Sequence, residues 1–276
     1  MVKEPGRCIF CGRRGLSKEH VWSKWTHNLV PRLEDGLHER VTISARGAKA
    51  APPSHKQYQG SANTIQLRKA CKRHCNSGWM SQLDEAAKPI MTRLILSEPI
   101  ELDPDAQKIV ATWFAMKAMI AEFSHPKDVS TQQHERAFLM KNLEPPKTWR
   151  IWIASHCSVV WRMAYQRHAS TLGFALSGTT PIPPKRPFAK NTQAITFGLG
   201  SLLAQIISTS SGIEFDLPNE IVGQAHQVWP IAKTIRWPPD IILDHGAADG
   251  FAKSMERTLR EFKQGEDFCF TGSCTE

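Results

Sequence analysis

Cys8-Ile-Phe-Cys11, Lys18-Glu19-His20 and Cys71-Lys-Arg-His-Cys75-Asn76 are the stretches on which the reading of this chain turns. Two short cysteine pairs bracket an acid-histidine pair, and the second cysteine pair runs directly into an asparagine at the start of a helical pattern. Apolar residues then recur every three or four positions, at Trp79, Met80, Leu83, Ala87, Ile90, Met91, Leu94 and Ile95, which predicts a helix from Asn76 with a kink at Pro89. Asn63-Thr-Ile-Gln-Leu-Arg68 alternates and predicts a strand leading into Cys71. The local expectation is strand, strand, helix, pinned by the cysteines.

Four thiolates in two pairs form the soft, tetrahedral ligand set of a structural zinc ion. Cys8 and Cys11 have the usual two-residue gap, and Gly12 and Gly15 permit the tight backbone such a site needs. Cys71 and Cys75 have three residues between them, while His74 stands at the two-residue gap from Cys71. A set of Cys8, Cys11, Cys71 and Cys75 and a set using His74 in place of Cys75 both stay open. Of the other cysteines, Cys157 lies in a strand-like run and reads as a small buried residue, and Cys269 and Cys274 sit in a short polar tail.

Working outward, residues 27 to 62 read as a long polar loop with one strand, Arg40-Val-Thr-Ile-Ser44. Beyond residue 100 the pattern is structural. Asp103-Pro104 predicts an N-cap and first turn for a helix to about Phe123, with Trp113, Met116, Met119 and Ile120 in the core. A second helix follows Ser130 and ends at Pro145-Pro146. Strands are expected at 149–154, 157–165, 193–197 and 201–208, with a turn at Gly198 and Gly200. Thr179 to Lys190 reads as an extended Pro-rich connector, and residues 246–263 as a closing helix.

With 41% hydrophobic and 22% charged residues, the composition is that of a globular protein rather than a disordered or membrane one. No apolar run reaches the roughly 18 to 20 residues of a spanning helix, and the first residues lack a hydrophobic signal core. A cytoplasmic setting and no membrane partner are expected. The net charge of +9 is concentrated: residues 1–80 hold seven Lys and eight Arg against four Glu and one Asp, a local +10. That is the distribution expected if the cysteine-bearing segment docks onto a polyanion, with Arg13, Arg14, Lys18, Lys24, Lys72 and Arg73 as candidate phosphate contacts.

Cleaving a phosphodiester requires an activated water, neutralisation of phosphate charge and help for the leaving oxygen. Glu19, His20 and Asn76 can supply a neutral imidazole base and two hard oxygen ligands. Strand alternation points Glu19 and His20 to opposite sides, so a bulge or turn is expected between strand and site. Cys8-x2-Cys11, Glu19-His20-Val21 and Cys75-Asn76 opening a helix resemble the HNH endonucleases, and in layout the four-cysteine branch that includes phage recombination endonucleases. The likeness covers about residues 6–96.

The resemblance implies a ββα-metal fold with structural Zn²⁺ on the four cysteines. It further implies His20 as general base, Glu19 and Asn76 as ligands of a catalytic Mg²⁺ or Mn²⁺, DNA as partner, and a phage or mobile-element setting. The expected fold class is α+β: a zinc-pinned module over residues 1–97, then a mixed α+β domain over 98–276. The expected activity is metal-dependent hydrolysis of DNA. The rivals are a zinc-stabilised nucleic-acid-binding module without cleavage and a protein-interaction zinc module.

Overall fold

Leu16-Ser-Lys-Glu-His20 forms β1 (Leu16–His20), the first strand of the small unit that carries the cysteines. The computed structural model describes residues 6–30, 65–172, 189–219 and 221–261, with the backbone of 37–42, 45–46, 49–50 and 54–59. Asn63, Ser44, most of the Pro-rich connector, Cys269 and Cys274 lie outside the described residues.

The loop expected over 27–62, with a single strand at 40–44, instead carries two antiparallel pairs, and residues 40–42 of the expected strand lie in the first of them. Strand β2 (Leu37–Thr42) pairs with β5 (Ser54–Gln59), and between them β3 (Ala45–Arg46) pairs with β4 (Lys49–Ala50). Their residues lack a clean apolar alternation, so backbone pairing rather than an apolar face defines them. Next, β6 (Gln66–Cys71) starts three residues later than the sequence pattern suggests and pairs antiparallel with β1. Two steps on β1, from Ser17 to Glu19, match three on β6, from Ala70 to Leu67, so the pair is bulged just ahead of Glu19.

An irregular helical run, Lys72–Met80, follows and breaks at Gly78 (φ −103°, ψ −120°) before α1 (Ser81–Leu96). The bend therefore falls at Gly78, and α1 runs on through Pro89. Pro89 and Glu85, whose carbonyl loses its partner, are both exposed, so water can satisfy that group. Leu83, Ala87, Met91, Leu94 and Ile95 form the buried face of α1.

Strand β7 (Ile100–Leu102) precedes α2 (Pro104–Ala121), whose first turn is capped by the Asp103 carboxylate accepting from Ala106 N–H at 2.8 Å. From Val110 to Ala121 every residue of α2 is buried, which makes it the central helix. Next, α3 (Gln133–Asn142) stops at Leu143, in the left-handed region, before the two prolines are reached.

The remaining strands are β8 (Arg150–His156), β9 (Met163–Ser170), β10 (Thr192–Leu199), β11 (Leu202–Thr209), β12 (His226–Trp229), β13 (Ile235–Trp237) and β14 (Ile242–Leu243); α4 (His245–Glu261) closes the described chain. One sheet runs β12-β8-β11-β10-β9, with β14 parallel to the end of β8, and β13 pairs with β7. The sheet is buried on both faces. Ile195, Phe197, Ala204 and Ile206 face the cluster containing α1, α2 and the cysteines, while Ala194, Leu203 and Trp152 face α4. Phe10, Trp22 and Met80 share the first cluster with Trp113, Phe114 and Phe197, so one apolar core runs through both segments of this α+β chain.

The strand expected over 157–165 is instead a turn followed by β9. Ser158 N–H donates to His156 Nδ1, and Ser158 Oγ meets His245 Nδ1 at 2.8 Å, which turns the chain out of the sheet. Cys157 is accordingly exposed rather than buried, its thiol directed at the Leu243 carbonyl.

Candidate metal centre and adjoining polar site

Three local structures converge on the cysteine centre. In the first, Cys8 N–H donates to Arg13 O and Gly12 N–H to Cys8 O, both at 2.9 Å, and Gly12 (φ 71°) supplies a left-handed residue that closes the turn. The second is the end of β6, which delivers Cys71. The third is one helical turn beyond it, which brings Cys75 onto the same side, as positions four apart do on a helix. The three-residue gap between Cys71 and Cys75 is thus the spacing of a helical turn.

Cys8 Sγ lies 3.6 Å from Cys75 Sγ, and Cys11 Sγ lies 3.5 Å from Cys71 Sγ. All four ligand atoms lie within 4.8 Å of one another. A tetrahedron with Zn–S bonds of about 2.3 Å has S···S edges of about 3.8 Å, and a disulfide would need about 2.05 Å. The four cysteines can hold a metal ion, and a zinc site is compatible with them. His74 is exposed and is not one of the four. In the free thiols the hydrogen bond with Cys75 holds Cys8 far below the usual thiol range, at about 4, although burial opposes it. The same bond pushes Cys75 up, and burial raises Cys11. Without metal the negative charge of the cluster is thus held on Cys8, and a bound cation would be needed to deprotonate Cys11 and Cys75.

Beside the cysteines, Asn76 fastens the helical run to β1. Its Nδ2 donates to Ser17 Oγ at 2.8 Å and to Lys18 O at 3.1 Å, immediately ahead of Glu19 and His20. Glu19 and His20 then face different partners. Glu19 is buried and its Oε1 accepts from Lys117 Nζ of α2 at 2.9 Å. His20 is half-buried, with Nε2 2.6 Å from Nε2 of the exposed Gln66, its cross-strand neighbour. His20 Nδ1 is buried without a hydrogen-bond partner among the described residues, and the ring meets that of His27 edge-on at 5.5 Å.

Lys117 is a cation that the sequence reading missed. Its side chain is 1% exposed, and Nζ also lies 3.8 Å from Asp84 Oδ1 and 3.4 Å from His20 O. Asp84 is further held by Ser23 Oγ at 2.5 Å and Trp113 Nε1 at 2.6 Å. Burial pushes the ammonium toward neutrality, but the Glu19 and Asp84 carboxylates more than offset this and its pKa is raised. One signal was available: Lys117 is the lone charged residue in Ala111-Thr-Trp-Phe-Ala-Met-Lys-Ala-Met-Ile-Ala121, and a cation in a helix apolar all round needs a buried anion.

For a second, hard cation, Glu19 Oε2 and Asn76 Oδ1 are oxygen donors outside the hydrogen bonds made by the described residues, and they suit Mg²⁺ or Mn²⁺ in kind. With Oε1 committed to Lys117, Glu19 can offer one oxygen, and its charge is already matched. Arg13, Arg14, Lys18, Lys24, Lys72 and Arg73 are all exposed. No helix among the described residues is long and apolar enough to cross a membrane. No family model, curated protein or solved structure matches the chain, and the chemistry of the site rests on its own geometry.

Proposed function

We propose that the chain is a metal-dependent DNA endonuclease of the HNH type, with residues 1–97 as the zinc-pinned nuclease module and residues 98–276 packed against it. The observation that carries this reading is Asn76. From the middle of the helical run Lys72–Met80 it is hydrogen-bonded to β1 directly ahead of Glu19-His20, and the thiolate cluster closes the same strand pair and helix. Base, acid and amide therefore belong to one small unit inside the most basic part of the chain.

In this reading Zn²⁺ on Cys8, Cys11, Cys71 and Cys75 holds the unit together. His20 takes a proton from the attacking water through Nε2, whose outward direction is marked by the Gln66 amide at 2.6 Å. Gln66 is exposed and can yield that position to water. Lys117 fixes Glu19 by one oxygen, leaving the other for a divalent ion shared with Asn76. Such an ion, when bound, neutralises charge on the phosphate and steadies the leaving 3′ oxygen. Products with 5′ phosphate and 3′ hydroxyl ends follow.

The Lys117–Glu19 pair favours a second reading, a zinc-stabilised nucleic-acid-binding module without cleavage, because a carboxylate neutralised from within attracts a divalent cation weakly. Nicking of supercoiled plasmid separates the two. Zinc-loaded protein with Mg²⁺ or Mn²⁺ is expected to nick, and a His20→Ala variant that retains zinc and fold is expected not to. Wild-type protein that binds the plasmid and leaves it intact would transfer the case to the binding module.

A further inference from the structure

The cysteine turn and α3 face each other across an open groove of about 790 Å³. One wall carries Arg7, Arg13 and His74, all exposed, and the other carries Gln133 and Arg136. No acidic residue among the described residues lines it. Its floor is apolar, with Phe10, Phe123 and Met140. Lys69 Nζ stands 4.6 Å from the Phe123 ring centroid, while the Arg136 guanidinium, 5.1 Å from it, is paired with the buried Glu122 carboxylate, so the unmatched positive charge of the groove is that of Arg7 and Arg13. The two walls are tied together where Gln133 Nε2 donates to Phe10 O at 3.3 Å. The groove thus exists only because the segment after residue 98 meets the cysteine turn.

We propose that this groove holds a single-stranded stretch of nucleic acid, phosphates against Arg7 and Arg13 and sugars and bases over the apolar floor. The inference rests on the nucleic-acid reading above and adds that an unpaired stretch of the substrate is held beside the proposed cutting site. A free inorganic anion would use the cations and leave the floor unused. Duplex DNA has its bases stacked inside and offers a concave apolar floor nothing to cover, whereas an unpaired strand offers both chemistries at once. The groove holds rather than reacts. It adjoins the end of β1 where Leu16 pairs with Cys71, and His20 is four residues along the strand, about 13 Å away at 3.3 Å per residue.

The test is binding of a labelled oligothymidylate followed by fluorescence anisotropy across a salt series, without added Mg²⁺ or Mn²⁺ so that cleavage does not enter. The variant is Arg7→Gln/Arg13→Gln/His74→Gln, with zinc content checked. The control is Lys147→Gln/Lys233→Gln/Arg236→Gln, three exposed cations elsewhere. Two lost arginine contacts to a single strand should flatten the log–log salt slope by about 1.4, with weaker binding, while the control keeps the wild-type slope. Wild-type protein should prefer the oligothymidylate to a blunt duplex of equal length, and inorganic phosphate should compete no better than ionic strength explains.

An unchanged slope in the groove variant, equal binding of duplex, or displacement by millimolar phosphate would each overturn the assignment. Protein that binds the single strand through these residues yet never cuts would refute the nuclease reading and leave the groove standing. Protein that cuts while the groove variant binds like wild type would do the reverse.

Discussion

Replacing Lys117 by Met removes a charge while nearly keeping the volume, and it probes the contact that joins α2 to the candidate site. Lys117 Nζ sits 2.9 Å from Glu19 Oε1 and 3.8 Å from Asp84 Oδ1, with the lysine side chain 1% and the Glu19 side chain 12% exposed. Asp84 keeps its Ser23 and Trp113 donors in the variant, so the loss falls mainly on Glu19. Leaving a buried carboxylate without its partner costs about 3–5 kcal/mol, which is roughly a hundred- to several-thousand-fold in the folded-to-unfolded ratio. Removing the charge on both sides, in Lys117→Met/Glu19→Gln, should recover at least half of that loss. The assay is urea unfolding of the zinc-loaded protein with each single variant and the double, reading midpoints at constant slope. The pH dependence carries a sign. Because the pKa of Lys117 is raised above 10.5, its contribution is fully present below that pH and disappears as pH climbs through the folded value. A loss below about 1 kcal/mol for Lys117→Met, or a double variant no better than the single, would refute the view that this ammonium neutralises Glu19.

Other consequences follow from separate parts of the molecule. Elemental analysis should find one zinc per chain, and Cys71→Ser should lose it together with the thermal transition of the native protein; full folding of metal-free protein would contradict this. Burial holds His156 at about 4, against 6.5 in the unfolded chain. The unfolded state therefore binds the extra proton first, and stability falls by about 3 kcal/mol as pH drops from 6.5 to 4. His156→Gln should flatten that part of the stability-pH curve. A methyl group on Gly198 would lie 1.9 Å from the Trp161 carbonyl oxygen, so Gly198→Ala should cost about 3 kcal/mol in chemical denaturation, at the upper end of overpacking penalties. Glu122 is fully buried between Arg136 and Arg167 and accepts from Ser130 and Thr131 N–H, so Glu122→Gln should cost about 3–5 kcal/mol, read from the same unfolding curves.

What the sequence shows of this structure follows the range of the interactions involved. The thiolate cluster is visible because cysteine chemistry advertises itself, and even the odd gap between Cys71 and Cys75 is explained by one helical turn. Helix α2 is legible from its cap and apolar run, both local features. By contrast, the partner of Glu19 lies 98 residues away, so nothing near Glu19 announces it. Of the strand pairs between residues 37 and 59 only one strand, expected at 40–44 and overlapping β2, is legible, because the others show no apolar alternation. Cys157 is misplaced for a different reason. Its neighbours Val159 and Val160 have strand propensity, yet they stand 64% and 62% exposed because Ser158 is drawn out of the sheet by His245. Propensity there yields to a tertiary contact. The bulge ahead of Glu19 is implied by the need to place an acid and a base, but its position depends on the register of β6, which only the paired structure fixes.

The most direct measurement is resealing of the nick. Supercoiled plasmid is treated with zinc-loaded protein and Mn²⁺, the nicked circles are recovered, and DNA ligase is added without prior end repair. In the proposed reaction the water activated at His20 displaces the 3′ oxygen and leaves 5′ phosphate and 3′ hydroxyl ends, so the circles should close, and the His20→Ala protein should produce no nicks to close. Nicks that ligase cannot seal, or nicking that survives in the His20→Ala protein, would contradict the account.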